Sequence, residues 1–332
     1  MKKLLCLLFA LSFAGMVASC KQDSGISDPM KPMKAASSAS SASPALTYTS
    51  SAKSGRTTFP TIAVMDSDGT HAANVYTAGS STTALSNPCW SPDGKSVLWG
   101  ENTSVLKACD VSVVSGVATG SNTRTITTDS RTIVGKAWCS QSSTQKIAYI
   151  DQAGINNSYE QGYLYTIPQG GGTPTLLFSS TAGVSHYMRS PTWSPDDKYI
   201  AFIDRSADNT NQSHSSILRV IDAATGVQAD TADLTSLFQA ENCEWARSGN
   251  AIAFNDMDTN SGAHFHIYYY TAFSGNAITT QNTLGSNPTW SPSDANLMVG
   301  QEANTNVVEK MAAFGTTLTT ITTGKNPVKW KR

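Results

Sequence analysis

The sequence predicts an all-β fold, a six-bladed β-propeller of four-stranded antiparallel blades closed by pairing of its N- and C-terminal strands. Three observations lead there. Six of the seven tryptophans sit in one recurring phrase, most plainly Pro88-Cys89-Trp90-Ser91-Pro92-Asp93-Gly94-Lys95 and Pro191-Thr192-Trp193-Ser194-Pro195-Asp196-Asp197-Lys198. The phrase returns every 40 to 55 residues, a unit too short to bury an apolar face alone, so its copies must stack on one another. The outermost units are incomplete in complementary ways: Asn326-Pro327-Val328-Lys329-Trp330 is a first strand with no second, and Leu46-Thr47-Tyr48-Thr49-Ser50 is a second strand with no first. One blade built from both leaves no open sheet edge in the ring.

Taken in order, the chain opens with Lys2 and Lys3 ahead of an apolar run from Leu4 to Val17. That run is too short to span a bilayer and right for the hydrophobic region of a secretory signal. Val17-Ala18-Ser19-Cys20 resembles the lipobox of bacterial lipoproteins, which implies removal of residues 1–19 and acylation of Cys20. Residues 20–44 are rich in Ser, Ala and Pro and cannot form a core, so they read as a disordered tether. About 24 such residues span roughly 25 to 30 Å, enough to hold a domain clear of lipid head groups. Lys21 rather than Asp after the cysteine implies the outer membrane under the Gram-negative sorting rule, with the domain facing the periplasm or the surface.

Residues 45–332 carry the repeats, aligned on Trp90, Trp138, Trp193, Trp245, Trp290 and Trp330. After each of the first five comes a second strand: Val97-Leu98-Trp99, Ile147-Ala148-Tyr149, Ile200-Ala201-Phe202, Ile252-Ala253-Phe254 and Leu297-Met298-Val299. The Ser-Pro-Asp-Gly type of linker between them is a tight hairpin turn, because Pro presets φ, Asp bonds the backbone and Gly takes positive φ. Third strands follow, such as Ile62–Asp66, Val105–Cys109 and Ile217–Ile221. Thr-rich segments such as Thr123–Thr128 and Thr175–Phe178 supply a fourth, outer strand. In these strands apolar residues alternate with polar ones, as half-buried strands require.

The segments Trp-Ser-Pro-Asp-Gly-Lys, Ile-Ala-Phe and Val64-Met65-Asp66-Ser67-Asp68-Gly69 resemble the WD40-like (PD40) propeller repeats of the TolB-like family. The resemblance covers Leu46 to Trp330 and implies a propeller that binds protein in the cell envelope. TolB carries an α/β domain ahead of its propeller, where this chain has the low-complexity tether.

Charged residues make up 14% of the chain and the net charge is −1, so no basic face exists for phosphate backbones and nucleic acid is not an expected partner. Outside the signal and the anchor, Cys89, Cys109, Cys139 and Cys243 follow no metal-motif spacing. They read as buried, reduced thiols, with Cys109–Cys139 the one pair to test as a disulfide.

Candidate site residues lie on the loops at one face, where a rigid scaffold presents function. Glu101, Asp151, Asp204 and Asp256 recur four residues after the anchor of the second strand, and are expected to accept amide hydrogens of their own loops. The candidate binding face comprises His186, Tyr187, Arg189, Asp204, Arg205, His214, Asp256, Asp258 and His264. Asp256, Asp258 and Asn260 alternate like calcium ligands, but the glycine falls one place late for an EF-hand. The tryptophans are expected to pack between blades rather than to stack a ligand.

The expected function is therefore a non-enzymatic one. The chain reads as a lipid-anchored, monomeric envelope module that binds a protein or glycan partner and needs no cofactor. The alternative is a metal-dependent, lyase-like carbohydrate-active propeller using His186, His214 and His264 around calcium or a transition metal. Sialidase Asp boxes and a Gly-x-Ser-x-Gly nucleophile elbow are absent from the sequence.

Overall fold

The computed structural model describes residues 42–153, 161–180, 185–207, 214–237, 240–258, 264–275, 278–300, 307–314, 317, 319–323 and 328–330. Cys20 and most of the tether lie outside them. Among the described residues every regular element is a β-strand, and the strands fall into six four-stranded antiparallel sheets that resemble propeller blades.

The first sheet holds β1 (Leu46–Ser54), β2 (Thr57–Met65) and β3 (Ala73–Thr77). The next holds β4 (Leu85–Trp90), β5 (Ser96–Glu101), β6 (Val105–Val114) and β7 (Val117–Thr128). Then come β8 (Thr132–Trp138), β9 (Lys146–Ala153), β10 (Gln161–Pro168) and β11 (Thr175–Ser179), followed by β12 (Ser185–Trp193), β13 (Tyr199–Ala207), β14 (His214–Asp222) and β15 (Gln228–Asp233). The last two sheets are β16 (Ala240–Trp245), β17 (Ala251–Asp258), β18 (His264–Thr271), β19 (Ile278–Leu284), and β20 (Ser286–Trp290), β21 (Asn296–Gly300), β22 (Val307–Ala312), β23 (Thr319–Thr323). The final strand, β24 (Val328–Trp330), returns to the first sheet, whose order is β24-β1-β2-β3, with Leu46 opposite Trp330 and Tyr48 opposite Val328. Ala42–Pro44, the end of the expected tether, already belong to the fold: the Ala42 N–H donates to the Gly116 carbonyl and the Ser43 N–H to the Asp66 carboxylate.

In every sheet the strand that carries the repeated tryptophan is an edge strand. These edges neighbour one another in succession, β4 beside β8, then β12, β16, β20 and β24, with β24 again beside β4. The core lies between adjacent sheets. Ile62 and Val64 of the first sheet pack with Trp90, Val97 and Trp99 of the second, and Leu98 and Leu106 of the second pack with Trp138 and Tyr149 of the third. The same layering repeats around Trp193, Trp245 and Trp290. The indole N–H groups of Trp138, Trp193 and Trp290 donate to the carbonyls of Cys89, Ala137 and Glu244, each on the edge strand of the preceding sheet. These indoles are structural, and truncating one costs about 3–5 kcal/mol. Between two sheets the backbones also meet directly, since a Cβ on Gly120 would lie 1.9 Å from the Val75 carbonyl oxygen.

The hairpin turn follows from its residues. In the second sheet the Gly94 N–H donates to the Ser91 carbonyl, Ser91 Oγ to Asp93, and the Lys95 N–H to the same carboxylate. Gly94 sits at φ 64°, and Asp197, Gly249 and Asp294 hold the equivalent place at 58°, 68° and 56°. Aspartate in a left-handed conformation costs roughly 1 kcal/mol relative to glycine, but its carboxylate is used. Asp197 accepts from the backbone of Ser140 and Gln141, and Asp294 from that of Arg247 and Ser248, so each straps its turn to the sheet before it.

All four described cysteines are free, Cys109, Cys139 and Cys243 being buried, so the Cys109–Cys139 disulfide is not formed.

Candidate functional site

Glu101 ends the second strand of its sheet, and Asp151, Asp204 and Asp256 lie two or three residues before the end of theirs. The partners of Glu101, Asp151 and Asp204 are side chains rather than loop amides, which corrects the expectation from the sequence for these three. Glu101 accepts from Lys107 Nζ at 2.7 Å and from the Tyr76 hydroxyl at 2.8 Å. Asp204 accepts from Arg219 Nε at 2.7 Å and shares a 2.7 Å hydrogen bond with His186 Nδ1. Burial works to raise the Asp204 pKa, but the hydrogen bonds and charges of His186 and Arg219 outweigh it and hold the group below the usual carboxylate range. Asp151 accepts from Arg131 Nη1 at 3.1 Å. Its other oxygen is buried with no donor in reach among the described residues, facing the carboxylate of Asp129. Burial, then the Asp129 carboxylate, raise its pKa to about 7. Asp256 is buried at the same place in β17.

The other residues of the expected binding face do not form one constellation. His186 and Asp204 join Arg219 in a buried cluster. Successive side chains alternate across a strand, so Tyr187 and Arg189 take the opposite side of β12. There the Arg205 guanidinium lies 5.2 Å from the Tyr187 ring centroid and 3.9 Å from Glu241. His214 pairs with Ala207, and Asp258 with His264, through the backbone; the side chains of His214, Asp258 and His264 lie outside the described residues, as do residues 154–160, 208–213 and 259–263 of the long loops. Among the described residues no group of three or more His, Cys, Asp or Glu is arranged to hold a metal ion.

A feature that sequence reasoning missed lies where the edge strands meet. Pairing with the second strand slips between Ser86 and Cys89, Arg189 and Thr192, Glu241 and Glu244, and Ser286 and Thr289. Asn87, Ser190, Asn242 and Asn287 take positive φ at these bulges, which re-aims the neighbouring side chains. The result is a cavity of about 280 Å³ with lining from β4, β8, β12, β16, β20 and β24. It holds four cations, Lys136, Arg189, Arg247 and Lys329, against two carboxylates, Glu241 and Glu244. Glu244 is bonded to Arg247 at 2.7 Å, to Thr289 Oγ1 at 3.1 Å and to Lys329. Lys136 donates to the Ser86 carbonyl at 3.1 Å and has no carboxylate partner among the described residues. Its accessible surface lines the cavity, and burial lowers its pKa to about 8. Cys243 also lines it, with burial raising the thiol to about 12.

No family model matches the sequence, and no curated protein does. Among solved structures the chain is similar to TolB from Acinetobacter baumannii, with 16% identity and a TM-score of 0.58 over 87% of this chain and 66% of that one. Less close likenesses, each with a TM-score of 0.49, are hydrazine synthase from Kuenenia stuttgartiensis (14% identity, 78% of this chain and 74% of that one) and the β-propeller domain of Cps50 (Swd1) from Myceliophthora thermophila (10% identity, 85% and 90%). The chain thus has a β-propeller fold similar to that of TolB, and it spans 66% of the length of that structure.

Proposed function

We propose that the chain is a lipid-anchored, six-bladed propeller of the bacterial cell envelope, and that it acts as a non-enzymatic binding module for a protein or glycan partner. The six sheets are its blades, and the ring closes through β24. The pairing of β24 with β1 and the unbroken succession of edge strands support that closure. The apolar leader, the lipobox-like Val17–Cys20 and the tether support the anchor at Cys20.

One observation carries the binding reading. Glu101, Asp151 and Asp204, and His186 with them, are held in side-chain hydrogen bonds to their own or the neighbouring sheet, where they brace the scaffold. Recognition then falls to the loop face, which the second strands and the loops ahead of the edge strands share; there the Asp129 and Ile133 amides donate to the carbonyls of Ser104 and Thr103. Loops on a rigid frame are where binding surfaces concentrate.

The test is photo-crosslinking in intact cells, with the crosslinking residue at exposed Ser130 on this face and at exposed Lys198 on the opposite hairpin turns. The expected result is one recurrent partner or glycan adduct from Ser130 and none from Lys198. The same abundant proteins recovered from both positions would refute the reading.

A further inference from the structure

The four cations of the cavity are not used alike. Arg247 and Lys329 are matched by Glu244, and Glu241 faces Arg205. Lys136 has one carbonyl for a partner, and Arg189 has no hydrogen-bond or ion-pair partner among the described residues. Both line the same cavity, from β8 and β12. Inward-facing cations are costly to desolvate without a counter-charge, and the lining as described carries two more positive than negative groups. The walls add neutral polar groups at the bulges, Asn87, Ser190, Asn242 and Asn287. At about 280 Å³ the space falls just below the range for drug-sized small-molecule sites, about 300–1,000 Å³, which suits a smaller ligand.

We propose that this cavity is a binding site for a small anion bearing carboxylate or phosphate oxygens, gripped between Lys136 and Arg189. The planar guanidinium of Arg189 matches two oxygens of either group, and Lys136 supplies a compact point charge from the adjoining strand. The Glu244 cluster with Arg247 and Lys329 lines the same cavity and keeps its own hydrogen bonds. This site is separate from the loop face, and it stands or falls independently of whatever macromolecule that face meets.

The test is calorimetric titration of the full chain with inorganic phosphate and, separately, with succinate. At least one probe is expected to saturate at one site per chain. Lys136→Met and Arg189→Gln are each expected to weaken that binding by about tenfold or more, as loss of a charge-assisted hydrogen bond does, while Lys198→Met on the exposed hairpin turn leaves it unchanged. No saturable binding of either probe, or equal binding by the Lys136 and Arg189 variants and the parent, would overturn the proposal. If a variant does not fold, the unaltered protein decides. The bound probe must then slow trinitrobenzenesulfonate modification of Lys136 and not of Lys198, and absence of that protection overturns the proposal as well.

Discussion

Asp151 and Asp204 occupy the same place in adjacent sheets, yet their surroundings drive their protons in opposite directions. Each faces the third strand of its sheet across the position two residues before it. In the β12–β15 sheet that strand offers Arg219, opposite Phe202; in the β8–β11 sheet it offers Tyr165, opposite Tyr149. The edge strand differs as well, with His186 two residues before the partner of Asp204 and Arg131 two residues before the partner of Asp151. Asp204 therefore has two donors at 2.7 Å and stays ionised, whereas Asp151 has one at 3.1 Å and a second carboxylate beside it. A repeated fold fixes where a carboxylate goes, and the neighbours supplied by each repeat decide what it does there.

The largest test of that contrast is Asp204→Ala. It strands the Arg219 guanidinium and the His186 imidazole in a site where Asp204 itself is 2% exposed, and removing one member of a buried pair costs about 3–5 kcal/mol. Urea unfolding at neutral pH should show a loss of that order. Because the folded pKa is depressed, the stability that Asp204 contributes is present above the ordinary carboxylate range and is lost as pH falls through the folded pKa. A loss under about 1 kcal/mol, the size of an exposed pair, would remove the distinction between the two sites.

The opposite outcome is expected at Asp151. Its folded pKa is raised to about 7, so between the unfolded value, about 3.9, and about 7 the folded state holds a proton that the unfolded state has released. Stability from this group is thus complete below about pH 4 and is lost as pH rises to about 7. Asp151→Asn keeps the neutral shape at all pH values. It should raise stability by about 1–3 kcal/mol at pH 8, an order-of-magnitude figure, and show no gain near pH 4. Melting curves at the two pH values check this, and a loss at pH 8 would mean that the Arg131 pairing dominates instead.

The strands and turns were legible in the sequence because their signals are local. Ser91-Pro92-Asp93-Gly94 encodes a turn in four residues, and Ile200-Ala201-Phe202 encodes a buried strand without reference to anything distant. The carboxylate partners were not legible, since Lys107, Tyr165 and Arg219 stand opposite them only through cross-strand register. The edge-strand bulges did leave a trace: Asn87-Pro88, Ser190-Pro191 and Asn287-Pro288 place a residue tolerant of positive φ before a proline that cannot donate to a ladder. Lys136 left one too. Two residues before the motif tryptophan, Trp90, Trp193 and Trp290 have Pro88, Pro191 and Pro288, whereas Trp138, Trp245 and Trp330 have Lys136, Cys243 and Val328, of which Lys136 alone is charged. In a periodic sequence a residue that departs from the period stands out only once the repeats are laid side by side at that position.

The smallest and sharpest test separates the two causes acting on Asp151. Burial heads the causes and the Asp129 carboxylate follows, by hydrogen bond and by charge, so Asp129→Asn should lower the Asp151 pKa part of the way rather than return it to the ordinary carboxylate range. Carbon-13 NMR titration of the side-chain carboxyl reads the shift directly, and each unit by which the pKa falls should appear as about 1.4 kcal/mol of stability gained at pH 8. An unmoved pKa would assign the whole effect to burial by Tyr149, Tyr165 and their neighbours. A fall to the ordinary value would assign it to the paired carboxylates. In that second case Asp151 differs from Asp204 through one residue ahead of β8, Asp129, and not through the exchange of Arg219 for Tyr165.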